Sequence, residues 1–198
     1  DAGDGIMYTV QTPEAKKPAK PQKYEDGQAI PLRDGGIVTA WYVGEEQVKT
    51  TATFEKIENV PVVVSYVSSE EGPAGEVAKN LVDGNPSTIW HTMYSVTLAK
   101  YPHWVDFDAA SVKNMKGFIY TPRMDSYNGY VKDYEIYVSQ DGKEWGEPVM
   151  KGSFEATGEA HKVMFDKPVK ARYIRFRALS EQRGNDYASG AEFGLIAE

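Results

Sequence analysis

Short runs of alternating polar and apolar residues, separated by turn signals, make up most of the chain. The runs 104–108, 134–139 and 172–178 each alternate with a period of two, as half-buried β-strands do. The turn signals recur about every 8–15 residues, and no amphipathic helix of useful length lies between them. The pattern therefore predicts an all-β sandwich or barrel.

Individual runs make this prediction specific. In residues 172–178 the alternation puts Ile174, Phe176 and Ala178 on one face, and Tyr173, Arg175 and Arg177 on the other. Residues 62–67 are rich in β-branched side chains and are expected to form a strand, whereas residues 77–82 fit a short helical turn.

The first 58 residues differ in texture from the rest. Runs 6–10, 37–43 and 50–54 predict short strands, with a turn at residues 34–36 before the second of them. Residues 13–23 are basic and rich in proline, which suits an exposed loop and excludes a central strand. We therefore expect two domains: a small β unit over residues 1–58 and a β-sandwich over residues 59–198.

Composition narrows the possible functions. The chain has 198 residues and a formal net charge of −7, which argues against a nucleic-acid partner because phosphate binding requires a basic surface. It has no cysteine and three histidines, so thiolate metal sites are excluded and a transition-metal enzyme is not expected. The most apolar run, residues 60–67, is short and contains proline, so no membrane insertion is expected.

The chain shows no catalytic constellation. Glycoside hydrolysis needs two carboxylates facing each other across a cleft, whereas the pairs Glu45-Glu46 and Glu70-Glu71 are sequence neighbours expected in solvated turns. No nucleophile elbow or phosphate-binding loop is present. We therefore predict that this chain is not itself an enzyme.

Four tryptophans are assigned to cores: Trp90, Trp104 and Trp145 to the sandwich, and Trp41 to the small unit.

A family resemblance rests on several segments in order. The stretch NLVDGNPSTIWHT at residues 80–92 resembles the opening signature of the coagulation factor V/VIII type C (discoidin) domain. The segments that follow it in the same order lie at residues 102–108, 117–123, 128–139, 171–175 and 188–192. The version with "TIWHT" and "YTPR" looks most like family 32 carbohydrate-binding modules. This resemblance covers residues 60–198 and implies a galactose-binding-domain-like jelly-roll sandwich with its binding loops at one end.

The small unit resembles a different family. Segments 5–9, 24–30 and 36–40 are similar to the small β domain of chitobiase/β-hexosaminidase enzymes. Together the two resemblances imply the tail of a bacterial family 20 glycoside hydrolase, with a catalytic glycosidase domain in the same parent chain. The location expected for such a protein is extracytoplasmic. A chain that begins at Asp1 fits either a removed signal peptide or a fragment, and both alternatives stay open.

The resemblance implies a structural Ca²⁺ site. Hard cations take six to eight oxygen ligands, and a turn rich in Gly, Asp and Asn supplies them. The ligands carried over are the carbonyls of Asn80, Asn85 and Ala191, the carboxylates of Asp83 and Glu192, and both oxygens of Thr88. The alternative is an Asx turn beside a solvated Glu192.

The resemblance also implies a glycan site. Sugars are held by an aromatic ring and by side chains that hydrogen-bond neighbouring hydroxyls. The residues expected there are Arg123, Asn128 and His91, with Tyr94, Tyr127, Tyr187 and Asn185 as walls. Arg123 could instead form a structural ion pair, and Asn128 could instead adopt the left-handed conformation of a turn.

The sequence thus favours a non-catalytic carbohydrate-binding module for terminal galactose or N-acetylhexosamine units. Two alternatives remain. One is a membrane- or protein-adhesion discoidin domain, disfavoured because the loops after Ser68 and around Ser126 show no pair of apolar tips. The other is a structural spacer without a ligand.

Overall fold

The computed structural model describes residues 5–28, 30, 32, 35–54 and 59–197. The chain divides into two compact units, Asp1–Ile57 and Glu58–Glu198. Asp34 of the predicted turn and residues 57 and 58 of the predicted linker lie outside the described residues. The domain boundary between residues 58 and 59 stays a prediction.

The first unit is a small antiparallel sheet. Its described strands are β1 (Ile6–Gln11), β2 (Gln22–Lys23), β3 (Gly36–Tyr42) and β4 (Thr50–Phe54), in the spatial order β2-β1-β3-β4. Tyr8 and Trp41 are buried, so Trp41 belongs to the core of this unit as predicted. The basic, proline-rich segment is an exposed loop, held to β1 by the Ala19 N–H, which donates to the Val10 carbonyl at 2.8 Å.

The regular secondary structure of the second unit is almost entirely β, which confirms the predicted all-β class. Its strands are β5 (Asn59–Val60), β6 (Val63–Val67), β7 (Trp90–His91), β8 (His103–Thr121), β9 (Asp133–Ser139), β10 (Met150–Ser153), β11 (His161–Ala178), β12 (Ser189–Gly190) and β13 (Glu192–Ala197). Short 3₁₀ turns cover Gly72–Ala74 and Ala78–Val82. The second of them lies where the sequence predicts a helical turn, at residues 77–82.

Two long strands build both layers of the sandwich. The first half of β8 pairs with β6 and with the second half of β11, while its second half pairs with β13 and the first half of β11. Between the halves, Ala110 has a φ of 62° and the register with β11 shifts. Strands β9 and β10 extend one layer and β5 extends the other, so the ladder bends from one layer into the next.

Aromatic rings fill the space between the layers. Phe118 of β8 is fully buried, and its ring centroid lies 5.6 Å from that of Tyr134, 5.8 Å from Phe193 and 6.1 Å from Phe176. Trp90 is also fully buried, as predicted. These rings come from strands of both layers and join them through one core.

The core assignment of Trp104 and Trp145 is wrong, because both side chains are only partly buried. Trp104 shares the outward face of β8 with Asp106, whereas Val105 and Phe107 on the opposite face are fully buried. The period of two therefore points Trp104 away from the core. Trp145 lies in the loop after β9, beside Trp104 and Arg175.

In the part of the chain that the structure describes, no helix has the length and apolarity needed to cross a membrane.

Replacing Phe118 with alanine should lower the free energy of unfolding of the second unit by about 3–5 kcal/mol, because it leaves a cavity among rings of both layers. Val96, which is 75 % exposed, offers a control: its alanine variant should stay within about 0.5 kcal/mol of the parent. Chemical denaturation followed by far-UV circular dichroism measures both. Equal stabilities for the two variants would contradict this view of the core.

Candidate functional site

Loops at one end of the sandwich enclose a pocket of about 300 Å³. Its walls are polar or aromatic side chains from four separate segments: Glu76, His91, Tyr94, Arg123, Asn128 and Tyr187. The structure thus brings together five of the predicted sugar-site residues and adds Glu76, which the sequence analysis missed.

Backbone hydrogen bonds fasten these segments to one another. His91 pairs with Ser189 in the short ladder between β7 and β12, and the Thr92 N–H donates to the Ala188 carbonyl at 2.9 Å. The Ser189 N–H donates to the Gly129 carbonyl at 2.8 Å, and the Ser189 hydroxyl donates to the Asn128 carbonyl at 2.7 Å. The β12 segment therefore holds the loops of His91 and Asn128 side by side.

The turn in the Asn128 loop depends on the glycine after it. Gly129 has a φ of 80°, and a Cβ there would lie 2.8 Å from the Ser189 backbone nitrogen. Among the described non-glycine residues, only Ala110 has a positive φ, so Asn128 does not take the left-handed conformation. Gly129 therefore makes the turn, and Asn128 presents its side chain to the pocket.

Glu71 anchors the loop that carries Tyr94. Its side chain is fully buried, so the expectation of a solvated turn is wrong. The carboxylate accepts hydrogen bonds from the backbone N–H groups of Tyr94 and Ser95, both at 2.8 Å, and from the Ser95 hydroxyl at 2.5 Å. Burial opposes ionisation of Glu71, but these hydrogen bonds outweigh it and lower its pKa. The ionised carboxylate thus fixes the Tyr94 loop.

The segment that carries Tyr187 is held by the residues just before β8 and by the first residue of that strand. His103 is buried, and its Nε2 lies 2.8 Å from the Asp186 carbonyl oxygen. The Tyr101 hydroxyl donates to the Tyr187 carbonyl, and Lys100 forms an ion pair with Asp186 at 2.5 Å. These contacts fix the position of the Tyr187 segment. The Tyr187 ring lies beside His91, with ring centroids 5.3 Å apart.

Arg123 follows β8 and is 9 % exposed. Its Nε and Nη2 donate to the two carboxylate oxygens of Asp125, each at 2.7 Å. That ion pair raises the pKa of Arg123 and orients the guanidinium, while Nη1 stays outside the pair. Arg123 therefore forms the structural ion pair of the alternative interpretation and lines the pocket as well.

His91 is 3 % exposed, and Tyr94 packs edge-on against it with ring centroids 4.9 Å apart. Its Nδ1 lies 2.7 Å from the Thr92 carbonyl oxygen. A carbonyl only accepts, so Nδ1 carries the proton and Nε2 of the neutral ring is an acceptor. Burial lowers the pKa of His91 below its usual value of 6.5, which favours this neutral form.

Glu76 brings a second acceptor to the pocket. Its Oε2 is buried and has no hydrogen-bond partner among the described residues. The residue is fixed by a bridge to Glu71 and by the His91 N–H, which donates to its carbonyl at 3.1 Å. No local pattern marks Glu76 in the sequence, because its place in the pocket depends on pairing with His91, fifteen positions away.

Two predicted wall residues lie elsewhere. Tyr127 is not among the pocket-lining residues; it packs against Tyr130 with ring centroids 5.2 Å apart, and Arg183 lies 5.2 Å from its ring. Asn185 donates its backbone N–H to the Glu181 carboxylate at 3.0 Å. Tyr127 is also 56 % exposed and Met124 is 71 % exposed, so the expectation that the loop around Ser126 lacks a pair of apolar tips is wrong.

The pocket combines complementary hydrogen-bonding groups. Arg123 supplies donors, Glu76 and neutral His91 supply acceptors, and the Asn128 amide supplies both. The rings of Tyr94 and Tyr187 add apolar surface beside these groups. Each hydroxyl of a sugar can donate and accept, and the C–H face of its ring packs on aromatic surface, so this arrangement suits a small polyol.

The predicted cation loop forms a compact turn. The Asn85 N–H donates to Asp83 Oδ1 at 2.8 Å, and the Thr88 hydroxyl lies 2.7 Å from Asp83 Oδ2 and 2.8 Å from the Asn85 carbonyl oxygen. This is the Asx turn of the alternative interpretation. The Asn80 side-chain amide is occupied, since it donates to the carbonyls of Gly75 and Ile89.

Glu192 lies close to this turn but is not simply solvated. Its Oε1 is buried and lacks a hydrogen-bond partner among the described residues. Burial and the nearby Asp83 carboxylate raise the pKa of Glu192 to about 7. Ala191 beside it is fully buried and donates its N–H to the Thr121 carbonyl at 2.8 Å. The described residues contain no group of three or more His, Cys, Asp or Glu side chains that could hold a metal ion.

In its β-sandwich fold the chain resembles carbohydrate-binding modules, which are non-catalytic. A family model for the F5/8 type C domain matches residues 64–193, and the chain belongs to this family.

Curated relatives support the assignment. A sialidase from Micromonospora viridifaciens is 37 % identical over 175 residues, which is 87 % of this chain and 25 % of that protein. A galactose oxidase from Gibberella zeae is 34 % identical over 133 residues, which is 66 % of this chain and 19 % of that protein. The chain thus spans a quarter or less of the length of these relatives.

Solved structures give the same result. A family 32 carbohydrate-binding module from Clostridium perfringens, in complex with GalNAc-β-1,3-galactose, has a TM-score of 0.65 and 27 % identity, covering 71 % of this chain and 100 % of that one. A second C. perfringens module, in complex with galactose, has a TM-score of 0.61 and 28 % identity, covering 69 % and 96 %. The C-terminal domain of a Bacteroides fragilis chitobiase shares the fold, with a TM-score of 0.63 and 23 % identity, covering 72 % and 97 %.

His91 should titrate below its usual pKa of 6.5, because burial disfavours the charged ring. As the pH falls, the unfolded chain takes up this proton first. The stability associated with neutral His91 is therefore present above about pH 6.5 and is lost as the pH falls from there to the lower pKa. NMR titration of the ring signals measures the pKa, and ¹⁵N shifts identify the proton on Nδ1. A pKa at or above 6.5 would refute this account.

Proposed function

We propose that this chain binds the terminal sugar of a glycan in the pocket formed by Glu76, His91, Tyr94, Arg123, Asn128 and Tyr187. The observation that carries the proposal is the pairing of donors, acceptors and aromatic rings around a cavity of about 300 Å³. This volume suits one monosaccharide rather than a chain. The ligand class is terminal galactose or N-acetylhexosamine, supported by the sugars bound in the two C. perfringens modules.

The biological role we propose is that of an accessory module. A site for a single sugar binds weakly, because water competes for every hydroxyl of the ligand. The favourable binding free energy expected is about 4–6 kcal/mol. Tethered to a catalytic glycosidase domain in the same parent chain, it raises the local concentration of substrate. The sialidase relative supports a glycosidase parent, while the chitobiase parent of the sequence analysis remains a prediction. Export from a bacterial cell fits a glycan partner.

We also propose a structural Ca²⁺ held by the loop of Asp83, Asn85 and Thr88 together with Asn80, Ala191 and Glu192. The buried, unpartnered Oε1 of Glu192 beside Asp83 supports it, because two neighbouring carboxylates without a counterion disfavour ionisation. A bound cation would neutralise them and fasten the loop to the start of β13, where Glu192 lies.

Replacing Arg123 with alanine should abolish the NMR shifts that galactose induces in the His91 and Asn128 signals, because the guanidinium is the main donor of the pocket. The unfolding free energy should change by only about 1 kcal/mol, since the partner Asp125 is 66 % exposed and can be hydrated instead.

Arg172 provides a matched control, because it forms the same two-bond ion pair with Asp108, each bond at 2.7 Å, outside the pocket. Arg172→Ala should bind galactose like the parent. Binding of the chain to phosphatidylserine vesicles is measured in parallel. Vesicle binding without any sugar-induced NMR shift would favour the adhesion alternative instead. Unchanged sugar binding by Arg123→Ala would place the site on other loops.

Removal of divalent ions with a chelator should lower the melting temperature, because a ligand that binds only the folded state stabilises it. Asp83→Ala should lower it similarly and remove the effect of the chelator. Asp141→Ala is the control, since Asp141 also accepts hydrogen bonds within a tight loop but is not one of the proposed ligands. A chelator effect that persists in Asp83→Ala would rule out this ion site.

A further inference from the structure

The outer face of the sandwich carries a second cavity, larger than the loop-end pocket. It has a volume of about 590 Å³ and lies over strands β6, β8 and β11 and the loop after β9. Its aromatic walls are Tyr66, Trp104, Trp145 and Tyr173, and its polar walls are Ser65, Asp106, Asp141, Lys143 and Arg175. A neighbouring cavity of about 310 Å³ shares Trp104, Trp145 and Arg175 with it. We call the two together the outer groove.

The lining of the 590 Å³ cavity contains no aliphatic side chain in the described residues, so its apolar surface is aromatic. A different surface cavity, lined by Val64, Val67, Val77 and Ala78 among others, shows what an aliphatic lining looks like in this protein. Aromatic rings interspersed with polar groups match the alternating C–H faces and hydroxyl edges of sugars.

The groove follows the strand register. Tyr66 of β6, Asp106 of β8, Arg175 of β11 and Tyr137 of β9 are partners across four adjacent strands. This row crosses the outward face of one layer, so the groove is extended rather than pocket-shaped. An extended row presents successive subsites to a chain of sugars.

Arg175 fixes the two tryptophans. Its guanidinium carbon lies 4.1 Å from the Trp145 ring centroid and 5.4 Å from that of Trp104. Asp106 holds the same guanidinium through two hydrogen bonds of 2.6 and 2.8 Å. Rings that are already ordered lose little freedom on binding, which favours affinity. Tyr66 extends the platform, since it is 54 % exposed and stacks at 22° on Trp104 with centroids 6.3 Å apart.

The charges of the groove indicate a neutral ligand. The larger cavity is lined by two carboxylates, Asp106 and Asp141, and by two cations, Lys143 and Arg175. Asp106 is paired with Arg175, and Asp141 accepts backbone N–H groups of its own loop. Within the larger cavity neither sign of charge is in excess, and Arg177 of the neighbouring cavity is paired with Glu135, so an acidic polysaccharide gains no particular advantage there.

We propose that the outer groove is a second carbohydrate site, which binds an internal stretch of a neutral oligosaccharide on Tyr66, Trp104 and Trp145. It does not depend on the loop-end pocket, whose lining residues are entirely different.

The test uses the full chain carrying Arg123→Ala, which disables the proposed pocket, with the neutral tetrasaccharide lacto-N-tetraose as the probe. The chain has four tryptophans, and two of them line the groove, so fluorescence and indole N–H NMR signals report on it directly. The probe should shift the Trp104 and Trp145 signals saturably. The signals of Trp41 and Trp90, which are buried in the two cores, should stay in place.

Trp145→Ala and Tyr66→Ala, each in the Arg123→Ala chain, should weaken this binding at least tenfold, and Tyr66→Ala remains decisive if Trp145→Ala fails to fold. Tyr42→Ala is the matched control, since Tyr42 is 47 % exposed in the first unit, and it should bind like its parent. If the Trp104 and Trp145 signals do not move, the proposal of a second carbohydrate site is wrong, whether or not the unaltered chain binds galactose. Self-association that Trp145→Ala abolishes, without sugar binding, would overturn it in favour of a protein contact.

Discussion

The antiparallel pairing of β8 with β11 is the constraint on which the rest of the second unit depends. One ladder runs the length of both strands and bends near Ala110 from one layer into the other. The register shifts between Met164 and Val169 and again between Ala171 and Tyr173, but the same two strands run through both layers and link the pairing in one to the pairing in the other. The inward residues of both halves, such as Phe107, Phe118 and Phe176, then meet in one core, and the outward residues form one continuous face.

A few buried polar side chains connect the loops of the loop-end pocket to this framework and fix their positions. Buried Glu71 holds the Tyr94 loop by three hydrogen bonds, and His103 at the start of β8 holds the segment of Tyr187. Such anchors cost desolvation energy, which is recovered only when every hydrogen bond is made. The side chains that face the cavity are thus held by others that do not, and the pocket is formed before any ligand arrives.

The sequence predicted much of the fold because strands leave a local signature. The period of two located β9 and the end of β11 and placed Ile174 and Phe176 on one face, which the structure buries. The same period, applied strictly, would have placed Trp104 outside, beside Asp106 and Asp108. The core assignment rested on the position of each tryptophan in or beside a strand or turn, and it overlooked the charged residues on the same face of β8 as Trp104.

The site was predicted less completely, for a different reason. His91, Arg123 and Asn128 were found because they belong to motifs that a family resemblance carries, whereas Glu76 enters the pocket through a backbone pairing with His91 that no local pattern encodes. Glu71 was taken for a solvated residue because the sequence does not show which backbone donors will surround it. Pairing between distant segments is what converts such residues from surface charges to buried anchors.

The two faces of this sandwich impose different chemistry on whatever binds them. At the loop end, side chains from several segments converge on one point, so a ligand is surrounded and its hydroxyl pattern can be distinguished. On the outer face, side chains of neighbouring strands stand parallel at the spacing of the sheet, about 4.8 Å between strands. A ligand there is contacted along one side only, and recognition depends on its length and shape. Trp104 faces this side because it shares the outward face of β8 with Asp106, and Arg175 of the neighbouring strand β11 brings it together with Trp145.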